Sequence, residues 1–77
     1  LAFTTDNGLL KQVGVKTWER SDGGEVTVYQ EVNRDDFVYL YNQENELYIA
    51  VPIKGGTVFE TRDKGENWSP RGSAKLQ

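Results

Sequence analysis

The side chains that carry out most enzyme chemistry are missing from this chain. Its 77 residues include no histidine and no cysteine, which removes the commonest general base, the commonest metal ligand and the thiolate nucleophile. Carboxylates are plentiful, but Asp35 and Asp36 fall in a predicted turn, where solvated charge is the ordinary role. The spacing of a calcium loop is absent around Asp63 and Glu44. We therefore predict a non-enzymatic protein with no catalytic residues, no metal and no cofactor.

Aromatic stacking is the chemistry that the composition does offer. The chain has two tryptophans, four tyrosines and three phenylalanines. Phe37 and two tyrosines alternate along one face of a predicted strand. If that face is exposed, it could stack bases or sugars or bind protein, whereas buried rings would form the core that so small a domain needs. The candidate binding residues are Trp18, Tyr29, Tyr39 and Tyr41, with the cations Lys54, Arg62 and Lys64.

Charge is distributed unevenly along the sequence. Residues 1–51 carry four basic and nine acidic side chains, a net charge of −5, and residues 52–77 carry five basic and three acidic, a net charge of +2. One interpretation is a solvated surface; the other is a dipolar module that presents one sign to a partner or stacks head to tail. The overall charge of −3 disfavours nucleic acid, because phosphate contacts normally need a basic stripe.

A turn motif occupies residues 61–68, which read Thr-Arg-Asp-Lys-Gly-Glu-Asn-Trp. An aspartate can accept hydrogen bonds from the backbone of its own turn, and glycine readily adopts a positive φ. We expect Asp63 to accept bonds from N–H groups within residues 64–67 and Gly65 to have a positive φ. We also expect Trp68 to cover the hairpin and contribute core area by packing against Val58 or Phe59.

This motif resembles the Asp-box of sialidases and other BNR-repeat proteins, whose four defining positions are filled by Thr61, Asp63, Gly65 and Trp68. The Asp-box is a folding motif, so the resemblance implies a β-hairpin at residues 61–68 and not a catalytic site. A BNR propeller needs several four-stranded blades. The resemblance therefore implies either a piece of a β-repeat protein or the same hairpin in a different small fold, with carbohydrate binding as a third possible function.

A second resemblance lies in the first half. Residues 15–19, 22–24 and 27–28 are similar to a central hairpin of the coronavirus replicase single-stranded-RNA-binding protein, nonstructural protein nine. The last residues, 75–77, look like a product end of the viral main protease. The first third of that family and its C-terminal dimerisation helix have no counterpart here. This resemblance implies a viral protein that binds single-stranded RNA. The start at Leu1 without methionine indicates a processed product, a fragment or a sequence whose start is not given.

The elements that would position these residues are short strands. In residues 47–53, Leu47, Ile49 and Val51 share one face, and the opposite face is also largely apolar, which is typical of a strand inside a sheet or barrel. Pro52 cannot donate a ladder hydrogen bond, so pairing should fail there. Turn signals recur along the whole chain. They predict one all-β domain over residues 1–77, an antiparallel meander of five to seven short strands closed into a barrel or sandwich.

Two functions remain open from the sequence. The first is a protein-interaction or assembly module, viral, phage-derived or part of a β-repeat protein, which binds a protein partner or self-associates through strand edges. The alternative is a single-stranded RNA-binding barrel that uses the aromatic face. No stretch reaches the length of a transmembrane helix, so no membrane partner is expected, and the localisation stays open.

Overall fold

A computed structural model describes residues 1–77 as one closed barrel of eight antiparallel strands that follow one another in sequence order. The last strand pairs with the first, for example Thr4 with Lys75, which closes the sheet. The strands are β1 Ala2–Thr5, β2 Gly8–Gln12, β3 Thr17–Asp22, β4 Glu25–Arg34, β5 Phe37–Asn42, β6 Leu47–Pro52, β7 Gly56–Thr61 and β8 Ser69–Leu76.

The predicted all-β antiparallel meander is confirmed, but the strand number is eight rather than five to seven. Strand β8 could not be predicted from its residues, because it contains Pro70 and Gly72 and buries only Ala74. It is held in the sheet by its pairing with β1 and β7 and not by an apolar pattern of its own. Every strand of the closed barrel has two partners, so the free strand edge expected as the route of association is absent, and association itself stays a prediction.

Alternation along each strand sends one set of side chains into the barrel and the other set outward. Strand β5 shows this clearly, since Val38 and Leu40 are fully buried while their neighbours are only partly covered. The rings of Phe3 and Trp18 stack inside the barrel with centroids 6.1 Å apart. The core consists of Phe3, Leu10, Trp18, Tyr29, Val38, Leu40, Leu47, Ile49, Val51, Val58 and Ala74.

Pro52 ends the pairing of β6, as predicted. The ladder between β6 and β7 stops at Ala50 and Phe59, and the ladder between β5 and β6 ends with Phe37 opposite Pro52. Gly55 then turns the chain with a φ of 87°. A Cβ at Gly55 would lie 3.1 Å from the carbonyl oxygen of Ala74, so the turn requires glycine for both its conformation and its close approach to β8.

Strand β4 places a charged group at one end of the barrel. Glu31 follows the buried Tyr29 by two residues and shares its inward face, just before the register shift between Glu31 and Asn33, and its side chain is only 7% exposed. Its Oε1 accepts a hydrogen bond from Nε1 of Trp18 at 3.0 Å, and Arg34 donates to both of its oxygens at 2.7 and 3.1 Å. These bonds, above all those from Arg34, lower the pKa of Glu31.

The structure contains no helix of the length and apolarity that a membrane crossing requires.

Candidate functional site

The outside of β5, β6 and β7 carries most of the large rings. Of the nine aromatic residues, Phe3, Trp18 and Tyr29 are the ones fully enclosed by the barrel. An eight-stranded barrel has only enough interior volume for side chains to fill, and these three rings with the aliphatic residues fill it. The remaining six form what we call the outer aromatic surface: Phe37, Tyr39, Tyr41, Tyr48, Phe59 and Trp68.

The rings of the outer aromatic surface are close to one another. Phe37 lies beside Tyr39 and Phe59, with ring centroids 6.1 and 6.5 Å apart. Tyr39 lies 6.1 Å from Trp68 at an interplanar angle of 59°. Tyr41 and Tyr48, paired across β5 and β6, form a separate close pair at 4.5 Å. Such distances are in the range where aromatic pairs add favourable energy to the burial of area, so this surface is held in a defined shape.

Two grooves run through this surface and share a wall. The apolar groove has a volume of about 260 Å³ and is lined only by Phe37, Tyr39, Ala50, Phe59 and Trp68. The mixed groove, of about 190 Å³, lies on the other side of Tyr39 and Trp68. It is lined by those two rings and by Val32, Asn33, Asp35, Tyr48, Lys64 and Gly65.

The loop between β7 and β8 positions the indole of Trp68. Oγ1 of Thr61 donates to Oδ1 of Asp63 at 2.5 Å and accepts the N–H groups of Asp63 and Gly65, both at 3.3 Å. Asp63 in turn accepts the backbone and side-chain N–H groups of Asn67, both at 2.9 Å. A Cβ at Gly65 would lie 3.8 Å from the indole. The turn therefore brings Trp68 back over its own glycine and against β5.

The predicted turn contacts are confirmed for Asp63 and Gly65, whose φ is 92°. Hydrogen bonds from Thr61 and then from Asn67 hold the pKa of Asp63 at about 2. The expectation that Trp68 contributes core area is wrong: its side chain is 39% exposed, because the loop packs on the outside of the barrel. Trp68 and Phe59 line the same apolar groove, and the ring that pairs with Trp68 is Tyr39.

Only part of the predicted binding set reaches this surface. Trp18 and Tyr29 are 0% and 2% exposed, so their inclusion in a binding face is wrong; the alternation of β3 and β4 directs both rings into the barrel. Tyr39 and Tyr41 do lie on the outside. Among the predicted cations, Lys64 lines the mixed groove, Arg62 donates to the carbonyl of Asn45 at 3.1 Å, and Lys54 is exposed in the turn after β6 but lines neither groove.

Sequence reasoning missed several residues of the surface. Phe59 and Val32 line grooves together with Trp68, although they come from β7 and from the bulge of β4. Phe37 and Tyr48 could have been found from the period of two in β5 and β6, because each alternates with buried aliphatic residues. Val32 lies on the outward face of β4 with Val26 and Val28, opposite the buried Tyr29, so the same alternation places it outside the barrel.

The rim of the mixed groove is polar. Asp35 accepts the backbone N–H of Phe37 at 2.9 Å and the hydroxyl of Tyr39 at 3.4 Å. Burial of the phenol and the negative charge of Asp35 raise the pKa of Tyr39 above its ordinary value. A tyrosine hydroxyl is protonated at neutral pH at its ordinary pKa, so Tyr39 can act as a hydrogen-bond donor.

A smaller cavity of about 50 Å³ lies inside one end of the barrel. Two buried polar atoms without a protein partner, Oγ1 of Thr5 and Nη1 of Arg71, belong to residues that line it. Glu60 pairs with Arg71 through a 3.4 Å contact, and Arg20 pairs with Asp22 at 3.3 Å. The cavity suits water molecules or a small polar group better than an organic ligand.

No group of three or more acidic side chains is placed to hold a metal ion. Comparisons of the chain with protein-family models, with curated proteins and with solved structures gave no match. The outer aromatic surface and its two grooves are therefore the main basis for a functional interpretation.

Proposed function

We propose that the protein is a non-enzymatic interaction module that binds a segment of a protein partner on its outer aromatic surface. One observation carries this proposal. A groove lined only by apolar side chains, among them Phe59 and Trp68, lies on the outside of a barrel whose interior is already filled. Contiguous apolar surface on a small domain is characteristic of interaction sites, and aromatic residues are enriched where partners dock.

The lining of the apolar groove favours a protein ligand over a carbohydrate or single-stranded RNA. A sugar needs hydrogen-bond partners for each of its several hydroxyl groups, and the five residues that line this groove offer only two polar side-chain groups, the hydroxyl of Tyr39 and the indole N–H of Trp68. Single-stranded RNA needs cations beside the stacking rings. Lys64 is the one basic residue that lines either groove, and Asp35 lies in the same lining. An apolar side chain of a partner protein, in contrast, gains from burial against every wall.

Docking must occur through side chains rather than through strand addition. A partner strand binds by hydrogen bonding to a free edge of a sheet, and this barrel pairs β1 with β8 and leaves none. The partner segment therefore lies across the outer faces of β5, β6 and β7. Self-association by edge-to-edge pairing of strands is disfavoured for the same reason.

The test is a selection of peptides from a random display library, carried out with the wild-type protein and with the double variant Phe59→Ser, Trp68→Ser. We expect peptides with aromatic or aliphatic anchors that bind the wild type and not the variant. The control is Val15→Ser, since Val15 is 86% exposed and lines neither groove; it should bind like the wild type.

Two outcomes would overturn the proposal. One is a set of peptides whose binding survives the double variant. The other is saturable binding of single-stranded RNA that weakens steeply with salt and requires Tyr39 and Lys64, which would replace protein with nucleic acid as the ligand.

A further inference from the structure

We infer that the partner segment is proline-rich, binds in the polyproline II conformation and carries a basic residue beside its prolines. This inference rests on the proposed function and names the chemistry of its ligand. Three features support it: the paired grooves, the hydrogen-bond donors on the wall between them, and the charge at the rim of the mixed groove.

The two grooves suit the shape of a polyproline II helix. This helix has three residues per turn, so side chains three apart recur on one side about 9 Å from each other. Aromatic-lined grooves are the surfaces that bind such segments, because flat rings pack well on proline rings and the segment is already extended. Here Tyr39 and Trp68 form a common wall, 6.1 Å between ring centroids, with one groove on each side.

The shared wall also carries hydrogen-bond donors. A polyproline II segment makes no internal hydrogen bonds, so its carbonyl groups need partners from solvent or from the receptor. The indole of Trp68 is partly exposed, and the Tyr39 hydroxyl makes only a long bond of 3.4 Å to Asp35. Both side chains can donate to a carbonyl of a segment that crosses the wall, and both present rings at the same time.

The rim supplies charge complementarity to a basic residue. The lining of the mixed groove contains one acidic residue, Asp35, and one basic residue, Lys64. Asp36 follows Asp35 in the same turn, is exposed and acts with Asp35 to raise the pKa of Tyr39, so its charge lies near the shared wall and the three residues together carry a net charge of −1. An arginine or lysine next to the prolines would be attracted to the two carboxylates, whereas an acidic residue there would be repelled.

Other peptide conformations fit the surface less well. An added strand has no edge to pair with. An amphipathic helix uses one continuous groove for anchors at positions i, i+3 or i+4, and i+7, whereas the rings of Tyr39 and Trp68 divide this surface into two short grooves.

The experiment is calorimetric titration with an oligoproline peptide that carries an arginine at its end. Matched peptides replace alternate prolines with glycine, replace the arginine with glutamate, or form an apolar amphipathic helix. We expect the oligoproline–arginine peptide to bind most tightly and the glycine peptide to lose most of the affinity. Trp68→Ala should weaken binding about tenfold or more, as for a central aromatic anchor, and Val15→Ala should not change it.

A charge swap separates the role of the rim from a structural effect. No side-chain bond of Asp36 contributes to the turn; only its carbonyl accepts a bond, from Ile53 at 3.1 Å. Asp36→Lys should therefore weaken the arginine peptide and strengthen the glutamate peptide. Equal effects on both peptides would contradict the proposed charge recognition.

The two levels of the proposal fail differently. If the helical peptide binds through Trp68 and the oligoproline does not, the inference about polyproline is wrong and the interaction module stands. If no peptide binds and the exposed Trp68 keeps an unchanged fluorescence, both are wrong. Trp18 is fully buried, so a peptide-dependent change in emission can be assigned to Trp68.

Discussion

The inner and outer faces of β5 show two different uses of large side chains. The inner face buries Val38 and Leu40 completely, while the outer face carries Phe37, Tyr39 and Tyr41 and remains partly exposed. A strand that needed only stability would place its largest apolar side chains inside. The opposite arrangement arises because the interior of an eight-stranded barrel has limited volume, and because rings on the outside are free to contact something else.

This comparison predicts a separation of stability from binding. Substitution of the inner rings should lower the stability of the fold and should not change ligand affinity directly. The outer rings should change affinity strongly at small cost in stability.

The largest effect is expected from Trp18→Ala. Trp18 is fully buried and stacks on Phe3, so its removal opens a cavity that should cost about 3–5 kcal/mol. In a domain of this size that is most or all of the stability. Urea denaturation followed by circular dichroism measures the loss, and Trp18→Phe, which keeps a ring, should lose clearly less. A near-neutral Trp18→Ala would contradict the assignment of Trp18 to the core.

Trp68→Ala should have a much smaller effect on folding than Trp18→Ala. Its side chain is 39% exposed and packs on Tyr39, so the lost burial corresponds to about 1–2 kcal/mol. The same urea titration checks this value. A loss equal to that of Trp18→Ala would show that the loop over β5 is part of the folding core, and the separation of the two surfaces would fail.

Much of this architecture could be predicted from sequence, and the exceptions have physical causes. The period of two in β5 and β6 places Leu40 and Ile49 on one face of these strands and Tyr39 and Tyr48 on the other. The period alone does not show which of the two faces is buried in the core. Solvent exposure of the ring-bearing face depends on closure of the barrel by β8, whose residues show little apolar pattern. The contacts of Asp63 follow from local turn chemistry and were predictable because the partners lie within four residues.

An effect of pH is expected at the Glu31 end of the barrel. The pKa of Glu31 is lowered in the folded protein, chiefly by the bonds from Arg34. Because the folded pKa is depressed, the stabilisation is complete above the pKa of the unfolded chain and is lost as pH falls through the folded value. Unfolding titrations at a series of acidic pH values should show this loss in the wild type, and Glu31→Gln should reduce the pH dependence. An unchanged pH profile in that variant would exclude Glu31 as its source.

The smallest effect is expected at Asp63, and it tests whether the turn is what holds Trp68 on the outer surface. The pKa of Asp63 is about 2 against an ordinary value of 3.8, so its bonds are fully formed above about pH 4 and weaken as the carboxylate is protonated toward pH 2. The amide resonance of Asn67, which donates to Oδ1 of Asp63, should shift with that pKa in an NMR titration. The indole resonance of Trp68 should shift with the same midpoint if the turn positions the ring, whereas the indole of Trp18 should follow Glu31 instead.

Asp63→Asn keeps the size of the side chain but loses the charge, so it should remove the shared midpoint while leaving the barrel folded. If Trp68 does not respond to the titration of Asp63, the packing of the ring on Tyr39 is enough to hold it, and the turn is not needed to form the grooves.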